Sequence, residues 1–110
     1  MSYPLTIHYN IPHGIASSIT LVPLLQINAS SILDSLDKIC SNLKLSSTVE
    51  LSEKIKDIPS EIISYRLRDW GVKQKDLSWL VNKSFTKGRM DNNIIRLNKT
   101  MVESILLDII

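Results

Sequence analysis

The sequence predicts an all-α domain, a bundle of five or six helices. Three observations carry that expectation. Apolar residues recur at three- and four-residue spacing in successive stretches from Gly14 to Ile109. Residues that cap or stop helices stand at the edges of those stretches, Ser30, Ser31 and Asn98 ahead of apolar runs and Pro59 and Gly71 behind them. The one hint of strand alternation, in Ser2, Tyr3, Leu5 and Ile7, is weak and has no second strand to pair with.

Taken in order, residues 1–10 read as an irregular or extended lead-in, because Pro4 opposes an early helix. From Gly14 to Asn28, Ile15, Ile19, Val22 and Leu25 with Ala16, Leu21, Leu24 and Ile27 cover more than one face of a helix, so that helix is buried on most sides. Pro23 should kink it or divide it near Leu21, since an interior proline removes a hydrogen bond and costs about 3 kcal/mol. Ser30 or Ser31 caps the next helix, which runs to Leu43 on Ile32, Leu33, Leu36, Ile39 and Cys40. Ser46 to Ile58 forms a further helix stopped by Pro59. Pro59 to Trp70 is expected to be helical, with Gly71 as its terminator and Val72 folding back onto it. Lys75 to Phe85 carries Leu77, Leu80, Val81 and Phe85 inward. Thr86 to Asn98 has no period and many turn formers, so it reads as a loop, and Asn98 caps the last helix, Met101 to Ile109.

Composition narrows the class. With 110 residues the chain is the size of one domain with a real core. Apolar residues at 44%, charged ones at 22% and a mean hydropathy near zero place it among globular chains. Residues 1–33 contain no Asp, Lys, Glu or Arg, but prolines and polar residues interrupt them, so no membrane span is expected. The net charge of +2 is scattered along the chain, without the basic block that nucleic acid requires. Cys40 is the only cysteine and is expected to be a small buried residue, in keeping with a reducing, cytoplasmic setting.

The stretch Ile11-Pro12-His13-Gly14-Ile15-Ala16 carries the clearest chemical signal. Pro12 holds its own φ near −65°, and Gly14 is expected to provide backbone geometry or close approach that a side chain would forbid. His13 between them is aimed, and a neutral imidazole is the commonest metal ligand. His8 is five residues away, a spacing that a helix does not place on one face, so it reads as a surface or cleft residue.

On these residues the chain resembles the C-terminal helical domain of the iron-containing, metal-dependent alcohol dehydrogenases. Ser2-Tyr3-Pro4-Leu5-Thr6 running into Ile11-Pro12-His13-Gly14-Ile15-Ala16, with Pro23 and Asn28 after it, is similar to the family's histidine signature. Leu67-Arg68-Asp69-Trp70-Gly71-Val72, Asp76-Leu77 and Arg89-Met90-Asp91-Asn92-Asn93 are similar to later family steps, although Ile94 stands where many members have proline. The resemblance implies a dehydroquinate synthase-like C-terminal α domain. It implies a metal site in which an Asp and three His hold one divalent ion, Fe²⁺ or Zn²⁺, with His13 as the last ligand. The other ligands are then expected upstream of Met1, as is the NAD(P)-binding half; Gly14, Gly71 and Gly88 cannot form its glycine fingerprint.

The function implied is the C-terminal part of an NAD(P)-dependent alcohol dehydrogenase acting on a small alcohol or aldehyde, inactive as an isolated chain because one imidazole does not hold a catalytic metal. His8, Asn92 and Asn93 are candidate substrate or cleft residues. The alternative class is a non-catalytic helical interaction module, with exposed apolar area along Ile7, Ile11, Ile15 and Leu21 that a homodimer would cover.

Overall fold

The computed structural model describes residues 1–110, all helix and loop without a strand. Its first helix, α1 (Ser2–Tyr9), stands where the sequence predicted a lead-in. The reason is the position of Pro4, the third residue of α1. There the missing N–H is one of the first-turn donors that have no intrahelical acceptor, so proline costs little. Pro4 and Leu5 are buried, and α1 ends at Asn10, whose φ of 52° is a left-handed conformation that asparagine tolerates.

Ile11 is fully buried and anchors the turn into α2 (His13–Ser18). The long apolar stretch that follows is divided, as Pro23 required. The break falls at Ile19 and Thr20, and α3 (Leu21–Asn28) restarts with Pro23 again in the third position, so both prolines near the chain start use the same tolerated place. Gly14 departs from expectation. It lies inside α2 without a positive φ, and a Cβ there would meet nothing within 4 Å.

A 3₁₀ turn, Ala29–Ser31, precedes α4 (Leu33–Leu43). Neither Ser30 nor Ser31 caps α4. Both lie in the turn, and Ile32 occupies the capping position without a side-chain bond. At the other end Lys44 takes φ 56°, and the Leu45 N–H reaches the Cys40 carbonyl at 2.8 Å, a Schellman closure. Leu45 thereby packs on a small cluster of Leu36, Cys40 and Leu51, which bears out the buried cysteine. Helix α5 (Thr48–Asp57) starts at Ser47, whose hydroxyl accepts the Glu50 N–H at 3.2 Å.

The expected helix from Pro59 to Trp70 is absent. One turn after Pro59, the chain extends from Ile63 to Arg66 and tightens only at the 3₁₀ turn Leu67–Trp70. Its polar groups find distant partners instead of helical ones. The Tyr65 hydroxyl donates to Ser18 Oγ at 2.8 Å, the Leu67 N–H donates to the Ile109 carbonyl at 2.8 Å, and Trp70 Nε1 donates to the Ser64 carbonyl at 3.0 Å. Ile62, apolar at an expected helical position, is 82% exposed. Gly71 does terminate the segment, with φ 83°, and the Val72 N–H closes onto the Leu67 carbonyl at 3.2 Å.

A 3₁₀ turn, Gln74–Asp76, leads into α6 (Leu77–Ser84). The loop that follows carries one turn at Met90–Asn92, and α7 (Lys99–Asp108) starts from Asn98, whose Oδ1 accepts the Met101 N–H at 2.9 Å. Helix α6 packs against α7 and α1, and α1 against α2. Between them lies the main core of fourteen buried residues, among them Leu5, Ile11, Leu67, Leu80 and Leu106. Each such side chain contributes about 1.5–3 kcal/mol by leaving water. No single helix is long and apolar enough to cross a membrane, and the long apolar stretch is bent by 119° between residues 13–31 and 33–43.

Candidate functional site

The core just described holds the α1–α2 corner rigid and turns one face of it to solvent. His13 is the first residue of α2 and is exposed on that face, with no hydrogen bond from its ring to the rest of the chain. Ser17, also exposed, is one helical turn further along and therefore on the same side of α2. Pro12, at φ −50° and ψ 136°, gives the extended entry that sets the direction of His13. The aiming comes from proline and the buried Ile11, with no contribution from special backbone geometry at Gly14.

His8 is held elsewhere. Its ring meets Trp79 of α6 edge to face, with centroids 4.5 Å apart, so it is engaged in packing α1 on α6. No three His, Cys, Asp or Glu side chains come together in a group that could hold a metal ion. A catalytic divalent ion needs about three protein ligands, and the residues of this chain do not make such a set. His13 has the chemistry of one ligand only.

The two loop asparagines separate. The Asn93 amide is paired with Asn28 and with the Ile95 carbonyl, so its donors and acceptor serve the fold. Asn92 donates to the Gly88 carbonyl at 3.4 Å and leaves its Oδ1 free. Both line a cavity of about 350 Å³ between α1, the α2–α3 junction and the 86–93 loop. Ser17 lines the same cavity, which places it one turn from His13 on α2.

Of the residues that line this cavity the sequence reading singled out only Asn92 and Asn93 as candidates; Tyr3, Ser17, Thr20 and Arg89 are among those it missed. Tyr3 was concealed by the expectation of an irregular lead-in. Arg89 lay in a loop without periodicity, where nothing in the sequence shows which way a side chain turns. The Arg89 guanidinium carbon sits 5.4 Å from the centre of the Tyr3 ring, a cation–π contact. Thr20 is only 4% exposed and lines the cavity from its floor.

A larger groove of about 700 Å³ lies elsewhere, along the extended 60–69 segment. Lys56, Arg66 and Arg68 there are offset by Glu61, Asp69 and Asp108, so it offers no dominant charge, and neither histidine lines it. Near α1 burial lowers the pKa of the Met1 ammonium, with the Arg89 charge lowering it further, and the ionisation of Tyr9 is displaced as well. Burial raises its phenol above the usual range, and the Asp76 carboxylate beside it raises it further by charge and hydrogen bonding.

Comparison with known proteins adds one match. A family model described as Fe-containing alcohol dehydrogenase family, C-terminal, matches residues 1–110. No curated protein matches the chain, and no solved structure does.

Proposed function

Because the chain belongs to the Fe-containing alcohol dehydrogenase family, as its C-terminal domain, we propose that it is the helical, metal-facing part of an NAD(P)-dependent alcohol dehydrogenase. In this reading His13 supplies one ligand to a divalent ion, Fe²⁺ or Zn²⁺, and residues outside this sequence supply the others and the nicotinamide site. The observation that carries it is the placement of His13, exposed on the α1–α2 face at the end of a rigid, proline-directed turn and free of intramolecular partners. His8, by contrast, has its ring against Trp79, and the Asn93 amide is bonded to Asn28.

The surroundings support the same reading. Tyr3 and Ile7 are each 54% exposed, and Leu21 is 46% exposed. Tyr3 and Ile7 share one face of α1, since they are four residues apart. We read this surface as the one that packs against the remainder of the enzyme, with the small alcohol or aldehyde held between. It is narrower than the strip expected from sequence, because Ile11 is fully buried and Ile15 half-buried.

The test is a titration of the 110-residue chain with Zn²⁺ and, under anaerobic conditions, Fe²⁺, followed by calorimetry and by the imidazole signals of His8 and His13. Weak binding that moves His13, leaves His8 unmoved and disappears in His13→Ala is the expected result, with no oxidation of NAD(P)H by a small aldehyde. Submicromolar binding by a monomer, lost in His13→Ala, would show that the chain completes a metal site by itself. An unmoved His13 would remove it as a ligand.

A further inference from the structure

We propose that a second copy of this chain docks on the groove along residues 60–69, giving a two-fold dimer through a face separate from that of His13. The groove of about 700 Å³ and the cavity at the α1–α2 corner share no lining residue, so this pairing is independent of the dehydrogenase reading. The face combines an apolar knob, a groove able to receive it and a rim of balanced charge.

The knob is built by the turns that continue α5 past Asp57. The Ile58 N–H donates to the Lys54 carbonyl, the Ser60 N–H to the Asp57 carbonyl, and the Ile62 and Ile63 N–H groups to the Pro59 carbonyl. Ile58 and Ile62, four residues apart on these turns, are 75% and 82% exposed, the highest values among the large apolar side chains. Their backbone is hydrogen-bonded, so the fold itself presents them to solvent. Ile62 also lines the groove, whose floor is made by Ile19, Val22, Pro23 and Ile109, all buried. Single exposed isoleucines need no explanation, but two on an ordered turn beside an apolar floor form a patch. A knob next to a hole is what a two-fold contact uses, since each copy fills the groove of the other.

Charge selects the occupant. Lys56, Arg66 and Arg68 line the groove together with Glu61, Asp69 and Asp108. Arg68 and Asp69 approach each other at 4.0 Å, the one ion pair in the molecule, which leaves Lys56, Arg66, Glu61 and Asp108 without a partner of opposite charge. A partner of a single sign, such as nucleic acid or an acidic peptide, would meet as many like charges as opposite ones. A second copy brings both signs, and a two-fold rotation can set the cations of each rim against the anions of the other.

The exposed area is of the right size. The chain exposes 7188 Å², whereas a folded monomer of 12.5 kDa exposes about 6,200 Å². The excess of about 1,000 Å² is comparable to the roughly 800 Å² that each partner buries in a standard interface. Both the α1 side, with Tyr3 and Ile7, and the groove side, with Ile58 and Ile62, contribute apolar surface to it, and variants on each side tell them apart.

The test is the oligomeric state of the 110-residue chain, measured by sedimentation equilibrium over a range of concentrations, with circular dichroism to verify the fold of each variant. The parent should form a dimer. Ile58→Ser combined with Ile62→Ser should weaken it about tenfold or more, and Tyr3→Ser combined with Ile7→Ser should leave it within about twofold of the parent. All four side chains are exposed, so these variants keep the core intact. Charge supplies a second readout. Lys56→Glu with Arg66→Glu makes the rim acidic, and Glu61→Lys with Asp108→Lys makes it basic, so each variant alone should dimerise about tenfold more weakly, while an equal mixture of the two should form a mixed dimer. A chain that stays monomeric up to about 1 mM overturns the proposal. So does a dimer that survives the loss of Ile58 and Ile62, and its dissociation in the Tyr3 and Ile7 variant would place the contact on the α1 side instead. Failure of the two charge variants to pair with each other would show that the rims do not face one another and would equally overturn it.

Discussion

Asn28 and Asn93, 65 residues apart in sequence, exchange their side-chain amides: Asn28 Nδ2 donates to Asn93 Oδ1 at 2.9 Å, and Asn93 Nδ2 donates to Asn28 Oδ1 at 3.1 Å. Backbone groups fix which end of each amide is which. Asn28 also donates to the Leu24 carbonyl and accepts the Ile95 N–H, and Asn93 donates to the Ile95 carbonyl. The pair ties the end of α3 to the loop that carries Arg89. Asn28→Ala, which strands the Ile95 N–H and the Asn93 amide, should cost about 2–3 kcal/mol in urea unfolding. Asn93→Ala should cost a similar amount, and the double variant less than the sum, with a coupling of about 0.5–3 kcal/mol. Asn28→Ala within about 0.5 kcal/mol of the parent would mean the pair does not hold the loop.

The helix starts offer a second test. Asn98→Ala and Ser47→Ala each remove an oxygen that accepts a first-turn N–H, and each should cost about 1 kcal/mol. Ser30→Ala and Ser31→Ala should leave stability nearly unchanged, because α4 begins at Ile32 without either side chain. Thermal melts of the four variants rank them, and a large loss at Ser31 would restore it as the cap.

Two glycines should respond in opposite directions. Gly71→Ala forces a Cβ into φ 83° and should cost about 1–2 kcal/mol. Gly14→Ala places a better helix former inside α2, where its Cβ meets nothing within 4 Å, and should stabilise the chain by up to about 1 kcal/mol. Destabilisation by Gly14→Ala would reinstate a backbone requirement next to His13.

The raised Tyr9 phenol makes an alkaline prediction. A group whose pKa is higher folded than unfolded holds its proton more tightly in the native state, so its contribution is complete below the unfolded value near 10.0 and is lost as pH rises through the folded value. Urea midpoints should therefore decline above about pH 10, and less steeply in Tyr9→Phe. Phenolate absorbance should show that the phenol ionising above the usual range disappears in the same variant. An unchanged profile in Tyr9→Phe would separate Tyr9 from Asp76.

Glu50 gives the acid counterpart. The Ser46 backbone N–H and hydroxyl both donate to its carboxylate at 2.7 Å and hold it below the usual range. Its contribution is present above the unfolded value near 4.5 and is lost as pH falls through the folded one. Carboxyl NMR titration should show Glu50 titrating below the usual carboxylate range, and Ser46→Gly should return it part of the way upward by removing the hydroxyl.

What the sequence by itself determined are the features set by local chemistry. Helical spacing marked α4, α5, α6 and α7, Asn98 announced its cap, Gly71 its left-handed turn, and Pro23 the division of the long apolar stretch, because each depends on a few neighbouring residues. Pro12 marked the extended entry to α2 in the same way, while the exposure of His13 at its start is known only from the structure. Tertiary structure decided the rest. Residues 63–66 carry helical-looking apolar spacing, yet Tyr65 and Leu67 bond to Ser18 and Ile109, residues that no local pattern brings near. Pro4 reads as a helix breaker until its place in the first turn is known, and only the packing of α1 on α2 and α6 makes that turn worth forming. Arg89 has no period to direct it, and its position over Tyr3 follows from a loop held by Asn28 far along the chain. Short-range signals of capping, turn and spacing survive in one dimension, whereas the meeting of distant side chains is settled by which core they share.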